Sequence, residues 1–423
     1  MRHFSKVRIK RADISQYRQF GPKRYNRLVK LGEKIKNTTI VHVNATARGG
    51  GVAEILHSQV PLERSLGLNS IWLALIAPAE YFEVTKKIHN QMQGQTGALG
   101  DEQKLTYLNH LNTLGGELAR FLKRLKGATL VVLHDPQTIP IINYLPAGVR
   151  NALRIHIDLS HPNAHTMEFL KPYIKKFNRV IMSNPKFRPK WLSKKQTIIS
   201  YPAINPFNVK NRYMPETRAK TILKKIGIDT TRPLITQVSR FDRWKDPFGV
   251  IEAYLLAKKK IPGLQLLLEG FSIAKDDPEG KTTYKRLAKQ FNGDRDLYIL
   301  GDPKILQKIR INFEAFVNAA QRGSDIVLQK SVKEGFGMTV TEGMWKGKPV
   351  IGGNVGGIKL QIKNGVNGYL VDSPEDCAGR IIQILKNPRL AKRIGRQAHK
   401  TVRQNFLMPS LLLAHLKLYR ELR

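Results

Sequence analysis

Short apolar runs that end in glycine-rich or polar turns and lead directly into helical patterns recur along this chain. The first run covers residues 39–45, and a helical pattern at 52–66 follows it after three glycines, Gly49, Gly50 and Gly51. A strand, a tight turn and a helix in this order form the opening unit of a doubly wound parallel sheet. Three successive glycines also let the backbone approach a ligand and direct N–H groups at anions or hydroxyls.

The alternation of strands and helices falls into two series. Further strands are predicted at 70–76, 129–133, 153–158 and 180–183, and a second series begins at 233–239. Residues 200–232 contain several prolines and no apolar periodicity, which is typical of a connection. We therefore predict two Rossmann-like α/β domains facing across a cleft. The expected divisions are a basic arm and helix at 1–36, a first domain at 37–205, a linker at 206–232, a second domain at 233–395, and C-terminal helices at 396–423 that pack back toward the first domain.

The chain is strongly basic, with 72 Lys and Arg residues against 32 Asp and Glu residues. A basic field attracts nucleic acids, anionic membranes or small anionic substrates. No zinc finger, recognition helix or aromatic-interleaved motif accompanies the charge, so we expect no specific nucleic acid partner. The basic N-terminal arm would suit a weak contact with an anionic membrane.

The remaining composition indicates a cytoplasmic protein without a Cys-based metal cluster. The single cysteine, Cys377, excludes an internal disulfide and a Cys-based metal cluster. No apolar run approaches the roughly 18–20 residues that span a bilayer, and the first residues lack the apolar core of a signal peptide. Asp294 and Asp296 match the spacing of a metal-binding Asp-x-Asp, but their Asn-Gly-Asp context is typical of a surface turn.

Two glutamates, Glu334 and Glu342, flank one predicted turn between a strand at 325–328 and a helix near 340–346. Gly335 and Gly337 open this turn. A helix N-terminus with small residues before it binds phosphate oxygens, and carboxylates accept hydrogen bonds from sugar hydroxyls. An acidic first helical turn would alone account for a pair of glutamates.

Basic residues and a second glycine group complete a predicted nucleotide-sugar site. Arg240 and Lys245 follow the strand at 233–239, and together they could stabilise the negative charge that develops on a diphosphate leaving group. Four glycines after the strand near 350 form a candidate backbone cradle: Gly352, Gly353, Gly356 and Gly357.

Polar residues also end the predicted strands of the first series. His134 and Asp135 follow one strand, and His156 lies near the end of the next. Open α/β sheets bind ligands at the carboxyl ends of their strands, so we predict that these side chains face a ligand.

The motifs Ser-Arg-Phe-Asp-x-Trp-Lys-Asp-Pro at 239–247 and Glu-Gly-Phe-Gly-x-Thr-Val-Thr-Glu at 334–342 resemble those of retaining GT-B glycosyltransferases. The segments at 41–58, 83–90, 134–137 and 156–160 resemble the trehalose synthase branch of that class. The similarity extends over residues 12–420, and Asn205 departs from it where an Asp is usual.

The resemblance implies a nucleoside-diphosphate glucose donor, glucose as acceptor, and reversible formation of an α,α-1,1 linkage with retention. It implies no further cofactor and no metal, and a homodimer is one expected assembly. Arg240 and Lys245 would hold the diphosphate, Glu334 the donor sugar and Glu342 the ribose. The glycines Gly335, Gly337, Gly356 and Gly357 would contribute to donor binding. His156 would lie near the anomeric carbon and the C6 hydroxyl, and Asp135 and Gly49, Gly50 and Gly51 would face the acceptor or phosphates.

Three alternatives stay open from the sequence. A trehalose phosphorylase could place inorganic phosphate in a similar site. A related glycosyltransferase could act on a membrane or cell-wall acceptor. A polyanion-binding protein on an inactive scaffold would explain the charge, although the paired basic and acidic residues favour catalysis.

Overall fold

Parallel strands separated by helices make up both halves of the chain. The computed structural model describes residues 1–270 and 279–423. The chain divides into two units, of which unit 1 comprises Met1–Ala203 and Met408–Arg423 and unit 2 comprises Ile204–Leu407. Each unit has its own sheet.

Within the described residues, the sheet of unit 1 has seven strands in the order β1-β3-β2-β4-β5-β6-β7. The strand bounds are β1 (Phe4–Lys6), β2 (Thr39–Asn44), β3 (Asn69–Leu75), β4 (Thr129–His134), β5 (Arg150–Arg154), β6 (Arg179–Met182) and β7 (Thr197–Ile199). The helices are α1 (Pro22–Lys34), α2 (Gly50–Ser65), α3 (Ala79–Met92), α4 (Asp101–Lys123), α5 (Ala164–Ile174) and the C-terminal helix (Met408–Leu422), with short 3-10 helices at Ile14–Phe20, Pro136–Tyr144 and Pro185–Phe187.

The central strands of unit 1 are buried on both faces, as is typical of a parallel sheet. Val41 of β2 lies in register with Ile71 of β3 and Val131 of β4. All three side chains are buried in one core cluster. This order of strands places the ends of β2, β4 and β5 side by side.

The sheet of unit 2 is parallel throughout, with six strands among the described residues in the order β10-β9-β8-β11-β12-β13. The strand bounds are β8 (Leu234–Val238), β9 (Gln265–Glu269), β10 (Leu297–Leu300), β11 (Ile326–Gln329), β12 (Val350–Gly353) and β13 (Tyr369–Val371). The helices are α6 (Glu216–Lys224), α7 (Pro247–Lys258), α8 (Glu279–Gln290), α9 (Lys304–Lys308), α10 (Phe313–Gly323), α11 (Met338–Trp345), α12 (Pro374–Leu385) and α13 (Pro388–Asn405), with 3-10 helices at Arg243–Lys245 and Ile358–Leu360. The prediction of an edge strand near 367–371 is confirmed by β13.

The prediction of a linker at 206–232 is wrong, because these residues are part of unit 2. Helix α6 lies within them, and its residues Ala219 and Leu223 are buried in one cluster with Phe316 of α10. Pro215, one of the prolines that suggested a connection, is the N-cap residue of α6. A proline at a helix start interrupts no helical hydrogen bond, so it marked a boundary of this helix and not a linker.

The predicted N-terminal arm and C-terminal block also differ from the structure. Residues of β1 pair antiparallel with β3, with Phe4 opposite Leu75, so the first residues extend the sheet of unit 1. Residues 396–407 belong to unit 2, whereas the C-terminal helix belongs to unit 1. The strand predicted at 153–158 begins earlier and ends at Arg154. In the described part of the chain, no helix has the length and apolar character that crossing a membrane requires.

Candidate active site

The turn that follows β8 carries the predicted basic pair. Its 3-10 helix begins after Asp242, which accepts a hydrogen bond from the Trp244 backbone N–H at 3.0 Å. Arg240 Nη2 lies 3.2 Å from Asp242 Oδ2, and the Arg240 side chain is about one-third exposed. Asp246 ends the turn at φ 49° and caps α7 by accepting from the Gly249 N–H. The local sequence therefore holds both basic side chains at the carboxyl end of a central strand.

Lys245 forms an ion pair with Glu334, which lies in the loop between β11 and α11. The side chains are 17% and 12% exposed, so both are largely withdrawn from solvent. Ser331 Oγ lies 3.4 Å from the same Glu334 oxygen. The structure thus brings together a residue predicted to bind the diphosphate and one predicted to bind the sugar, although they lie 89 positions apart in the sequence.

Gly337 is the N-cap residue of α11 and has a φ of 88°, in the left-handed region that favours glycine. No side chain caps this N-terminus within the described residues. The Thr339 hydroxyl donates to the Val238 carbonyl at 3.0 Å and ties the first turn to the end of β8. An uncapped helix N-terminus next to Lys245 is a suitable site for a phosphate group.

The glycines after β12 allow close packing of two backbone segments. A Cβ on Gly353 would lie 2.0 Å from the Ser331 carbonyl oxygen, and one on Gly357 would lie 2.3 Å from the Gly335 carbonyl oxygen. The Gly357 N–H donates to the Glu334 carbonyl at 2.8 Å. This N–H group is therefore used within the protein and is not available to a ligand, which corrects that part of the predicted cradle. Gly356 adopts a φ of 36°.

Glu342 is fully buried in α11. Its Oε1 lies 2.7 Å from Lys210 Nζ, and its Oε2 accepts a hydrogen bond from Gln321 Nε2 at 3.2 Å. Lys210 comes from the segment that the sequence had indicated as a linker. Glu342, which the sequence predicts to bind the ribose, therefore contacts two other side chains of unit 2.

In unit 1, the predicted glycine turn lies between β2 and α2. Gly49 is the N-cap residue of α2 with a φ of 77°, and Gly50 begins the helix with the same φ. A Cβ on Gly50 would meet nothing within 4 Å, so its backbone angle and not crowding favours glycine there. Gly51 lies in the first turn of the helix.

Asp135 occupies a strained backbone position directly after β4, with a φ of 60° and ψ of 176°. Its Oδ1 accepts the His156 backbone N–H at 2.7 Å. Burial raises the pKa of Asp135 to about 7, although the His156 N–H and the nearby Arg154 act in the opposite direction. Strained residues of this kind concentrate at functional sites.

Three histidines follow one another across the ends of β2, β4 and β5. His42 Nδ1 lies 3.1 Å from His134 Nε2, and His134 Nδ1 lies 3.0 Å from His156 Nε2. Burial and the neighbouring histidine and Arg154 charges hold the pKa of His134 well below its usual value, and burial and the Arg154 charge do the same for His156. Both rings are therefore neutral at pH 7.

Asp294 and Asp296 lie in an ion-pair cluster. Lys258 Nζ is 2.7 Å from Asp294 and 3.0 Å from Asp296, and Arg232 lies 2.8 Å from Asp296. The Tyr254 hydroxyl donates to Asp294 at 2.9 Å. These contacts give both carboxylates structural partners between α7 and β10.

Comparisons with known proteins identify the fold and the family of the chain. The family model described as "Trehalose synthase, N-terminal domain" matches residues 42–189, and that described as "Glycosyl transferases group 1" matches residues 219–401. A solved structure of an α,α-trehalose 6-phosphate synthase from Burkholderia multivorans superposes with a TM-score of 0.70 at 13% identity, over 91% of this chain and 98% of that chain. Fold and family models together define a GT-B glycosyltransferase.

Two sequence relatives narrow the class. A trehalose synthase of Pyrococcus horikoshii is 40% identical over 403 residues, which cover 95% of this chain and 94% of the relative. A trehalose phosphorylase of Pleurotus pulmonarius is 27% identical over 438 residues, which cover 90% of this chain and 57% of that protein. The chain belongs to the trehalose synthase family.

Three residues that the sequence did not indicate lie next to the predicted site residues or their neighbours. His42 contacts His134, Glu63 contacts His42, and Lys210 contacts Glu342. His42 lies within an apolar strand and Glu63 within a helix, and neither position carries a local signal of function. The order of strands β2, β4 and β5 was the information needed to place His42 beside His134.

Proposed function

We propose that the protein transfers glucose from a nucleoside-diphosphate glucose to glucose and forms trehalose reversibly with retention of configuration. The observation that carries this proposal is the Lys245–Glu334 ion pair beside the uncapped N-terminus of α11. A cation and a helix N-terminus suit phosphate oxygens, and a carboxylate suits sugar hydroxyls.

The site residues receive separate roles under this proposal. Arg240 and Lys245 bind the diphosphate, and Glu334 binds hydroxyls of the donor sugar. Glu342 contacts the ribose, which requires it to exchange Lys210 or Gln321 for that ligand. In unit 1, His156 and Asp135 bind sugar hydroxyls, which suits a neutral imidazole and a buried carboxyl group.

The reaction is a front-face displacement. The bond between the donor C1 and the diphosphate oxygen breaks, and a bond from C1 to the acceptor hydroxyl oxygen forms on the same face. The acceptor proton passes to the leaving diphosphate, which gives trehalose and the nucleoside diphosphate. Positive charge on Arg240 and Lys245 lowers the barrier because negative charge grows on the diphosphate in the transition state.

Trehalose phosphorolysis is the second candidate, supported by the 27% identity to a trehalose phosphorylase. One experiment separates the two. The purified protein is incubated with trehalose and, separately, with ADP, UDP, GDP or inorganic phosphate. A nucleoside-diphosphate glucose with free glucose supports the proposed transfer, whereas glucose 1-phosphate formed with phosphate alone supports the phosphorylase. The absence of any product would contradict both.

A further inference from the structure

A line of hydrogen-bonded side chains runs through unit 1 from a buried carboxylate to His156. Glu63 Oε2 lies 3.1 Å from His42 Nε2, and two further contacts of 3.1 and 3.0 Å join His42 to His134 and His134 to His156. His42 and His134 each use one ring nitrogen toward each neighbour. A neutral imidazole carries a single N–H, so the hydrogen bonds in a line of neutral rings all point in one direction.

The carboxylate end sets that direction because an ionised carboxylate only accepts hydrogen bonds. In the form of the line that carries one proton on each ring, His42 then donates from Nε2, and its bare Nδ1 accepts from His134 Nε2. At the next contact, the bare Nδ1 of His134 accepts in the same way, and His156 donates from Nε2. His156 is left with a bare Nδ1, for which the described residues provide no hydrogen-bond partner.

The surroundings of Glu63 favour its ionised form. Its Oε1 accepts from Gln59 Nε2 at 2.8 Å and from the Tyr419 hydroxyl at 3.0 Å, and its Oε2 accepts from the Ser70 hydroxyl at 2.7 Å. Burial would raise the pKa of Glu63, but the interaction with His42 and these hydrogen bonds outweigh it and hold the pKa below its usual value.

Other charged groups in the interior of unit 1 disfavour a second proton on the histidine rings of this line. Arg154 is 1% exposed, and neither of its terminal nitrogens has a hydrogen-bond partner in the described structure. His415 is buried beside Gln59 and Tyr419. A positive charge on His134 or His156 would add to that of Arg154 in a medium of low dielectric constant, with Asp135 the acidic group beside Arg154.

We propose that Glu63 is a positioning residue that fixes His156 in the tautomer with its proton on Nε2. His156 Nδ1 can then accept a hydrogen bond from a sugar hydroxyl but cannot donate one. This consequence for the sugar rests on the proposed function, whereas the tautomer itself does not. The site would therefore select a sugar with a free hydroxyl as hydrogen-bond donor at this position.

Replacement of Glu63 by Gln should reverse the direction of the hydrogen bonds between Glu63 and His156. Gln59 Nε2 also lies 2.9 Å from His415 Nδ1 and 3.3 Å from the Tyr419 hydroxyl, so its two protons are directed at Glu63 and at the His415–Tyr419 side. The new amide would therefore keep its oxygen toward Gln59 and turn its nitrogen toward His42. It would donate to His42 Nε2, and each following bond would reverse until His156 carries its proton on Nδ1.

The test uses the full chain labelled with ¹⁵N-histidine, without substrate, at pH 8, where ordinary histidines are neutral. Correlations of ring nitrogens with carbon-bound protons distinguish the two tautomers, and the spectrum of His156→Asn assigns the signal. We expect Nε2–H in the wild type and Nδ1–H in Glu63→Gln. Glu117→Gln is the matched control, because Glu117 also contacts a histidine of unit 1, His3 at 2.8 Å, outside the line. It should leave the tautomer unchanged.

Either of two results would overturn the proposal: a wild-type His156 protonated on Nδ1, or an unchanged His156 in folded Glu63→Gln. The wild-type spectrum decides alone if that variant does not fold. In the trehalose-cleavage assay, we expect Glu63→Gln to lose about tenfold or more in kcat/KM, because His156 would then present an N–H where the sugar hydroxyl needs an acceptor. Because the spectra need no substrate, a wrong donor assignment leaves the tautomer result intact.

Discussion

The buried carboxyl group of Asp135 should make the stability of unit 1 depend on pH. Its pKa is raised from 3.8 to about 7 in the folded protein. The folded state therefore holds a proton that the unfolded state releases between these two values. The stability that this proton contributes is fully present below pH 3.8 and is lost as the pH rises through 7.

The size of the effect follows from the pKa shift. Each pH unit between the unfolded and folded pKa values removes about 1.4 kcal/mol from the free energy of unfolding. From pH 5 to pH 8 the loss therefore amounts to about 3 kcal/mol and levels off above pH 7. The pKa values of His134 and His156 lie well below 6.5 in the folded protein, so these two histidines contribute in the opposite direction and lower the stability as the pH falls below 6.5. That contribution does not depend on the side chain at position 135 and cancels when two proteins are compared. Asp135→Asn should abolish the loss, since the amide can still accept the His156 N–H.

The assay is urea unfolding of the wild type and Asp135→Asn at pH 5, 6, 7 and 8. Replacing Trp244 and Trp345 of unit 2 by Phe leaves Trp72 and Trp191 of unit 1 as the fluorescent reporters. The difference in unfolding free energy between the two proteins should change by about 3 kcal/mol across the series in favour of the variant. Parallel profiles would refute the reasoning, because every other titrating group is common to both proteins.

Three further substitutions test unit 2. Lys245→Ala should raise the barrier of glucose transfer by about 2–4 kcal/mol, measured as kcat, because the proposed function places this cation at the leaving diphosphate. Lys210→Met should lower the unfolding free energy by about 3–5 kcal/mol, since it leaves the carboxylate of Glu342 buried without its cation. Calorimetry measures this loss, and a second change of Glu342→Met should recover most of it. Gly357→Ala should weaken nucleoside-diphosphate binding in titration calorimetry, because its Cβ would meet the Gly335 carbonyl oxygen at 2.3 Å and displace the Glu334 loop.

Each of these substitutions has a control in the same unit. Lys333→Ala removes a lysine next to Glu334 that does not pair with it, and should leave kcat within twofold; an equal loss in both lysine variants would contradict the role of Lys245. Gly379→Ala lies in α12 with nothing within 4 Å of the new Cβ and should leave ligand binding unchanged. If the Lys210→Met protein were as stable as the wild type, Glu342 would not depend on that ion pair.

Local patterns predicted the elements of the fold because strand, turn and helix each carry their own residue preferences. The turns at Gly49–Gly51 and at Glu334–Gly337 occur where short apolar runs end, and the structure has helices α2 and α11 there. Helix α6 was missed because prolines surround a segment whose apolar face is only three residues, Ala219, Ile222 and Leu223. The contacts that hold site residues could not be predicted, because they join distant segments: Lys210 lies 132 positions from Glu342, and His42 lies 92 positions from His134.

The return of the C-terminal helix to unit 1 constrains the order in which the chain can fold during synthesis. All residues of unit 2 leave the ribosome before Met408–Leu422, so unit 2 can fold as an uninterrupted segment while unit 1 still lacks its last helix. Until then Glu63 has no hydrogen bond from Tyr419, and Leu412 and Leu416 of this helix are not yet buried. A nascent chain released before residue 408 should therefore contain a protease-resistant unit 2 beside an unfinished N-terminal unit. Packing of the C-terminal helix would then be the step that completes the folding of unit 1.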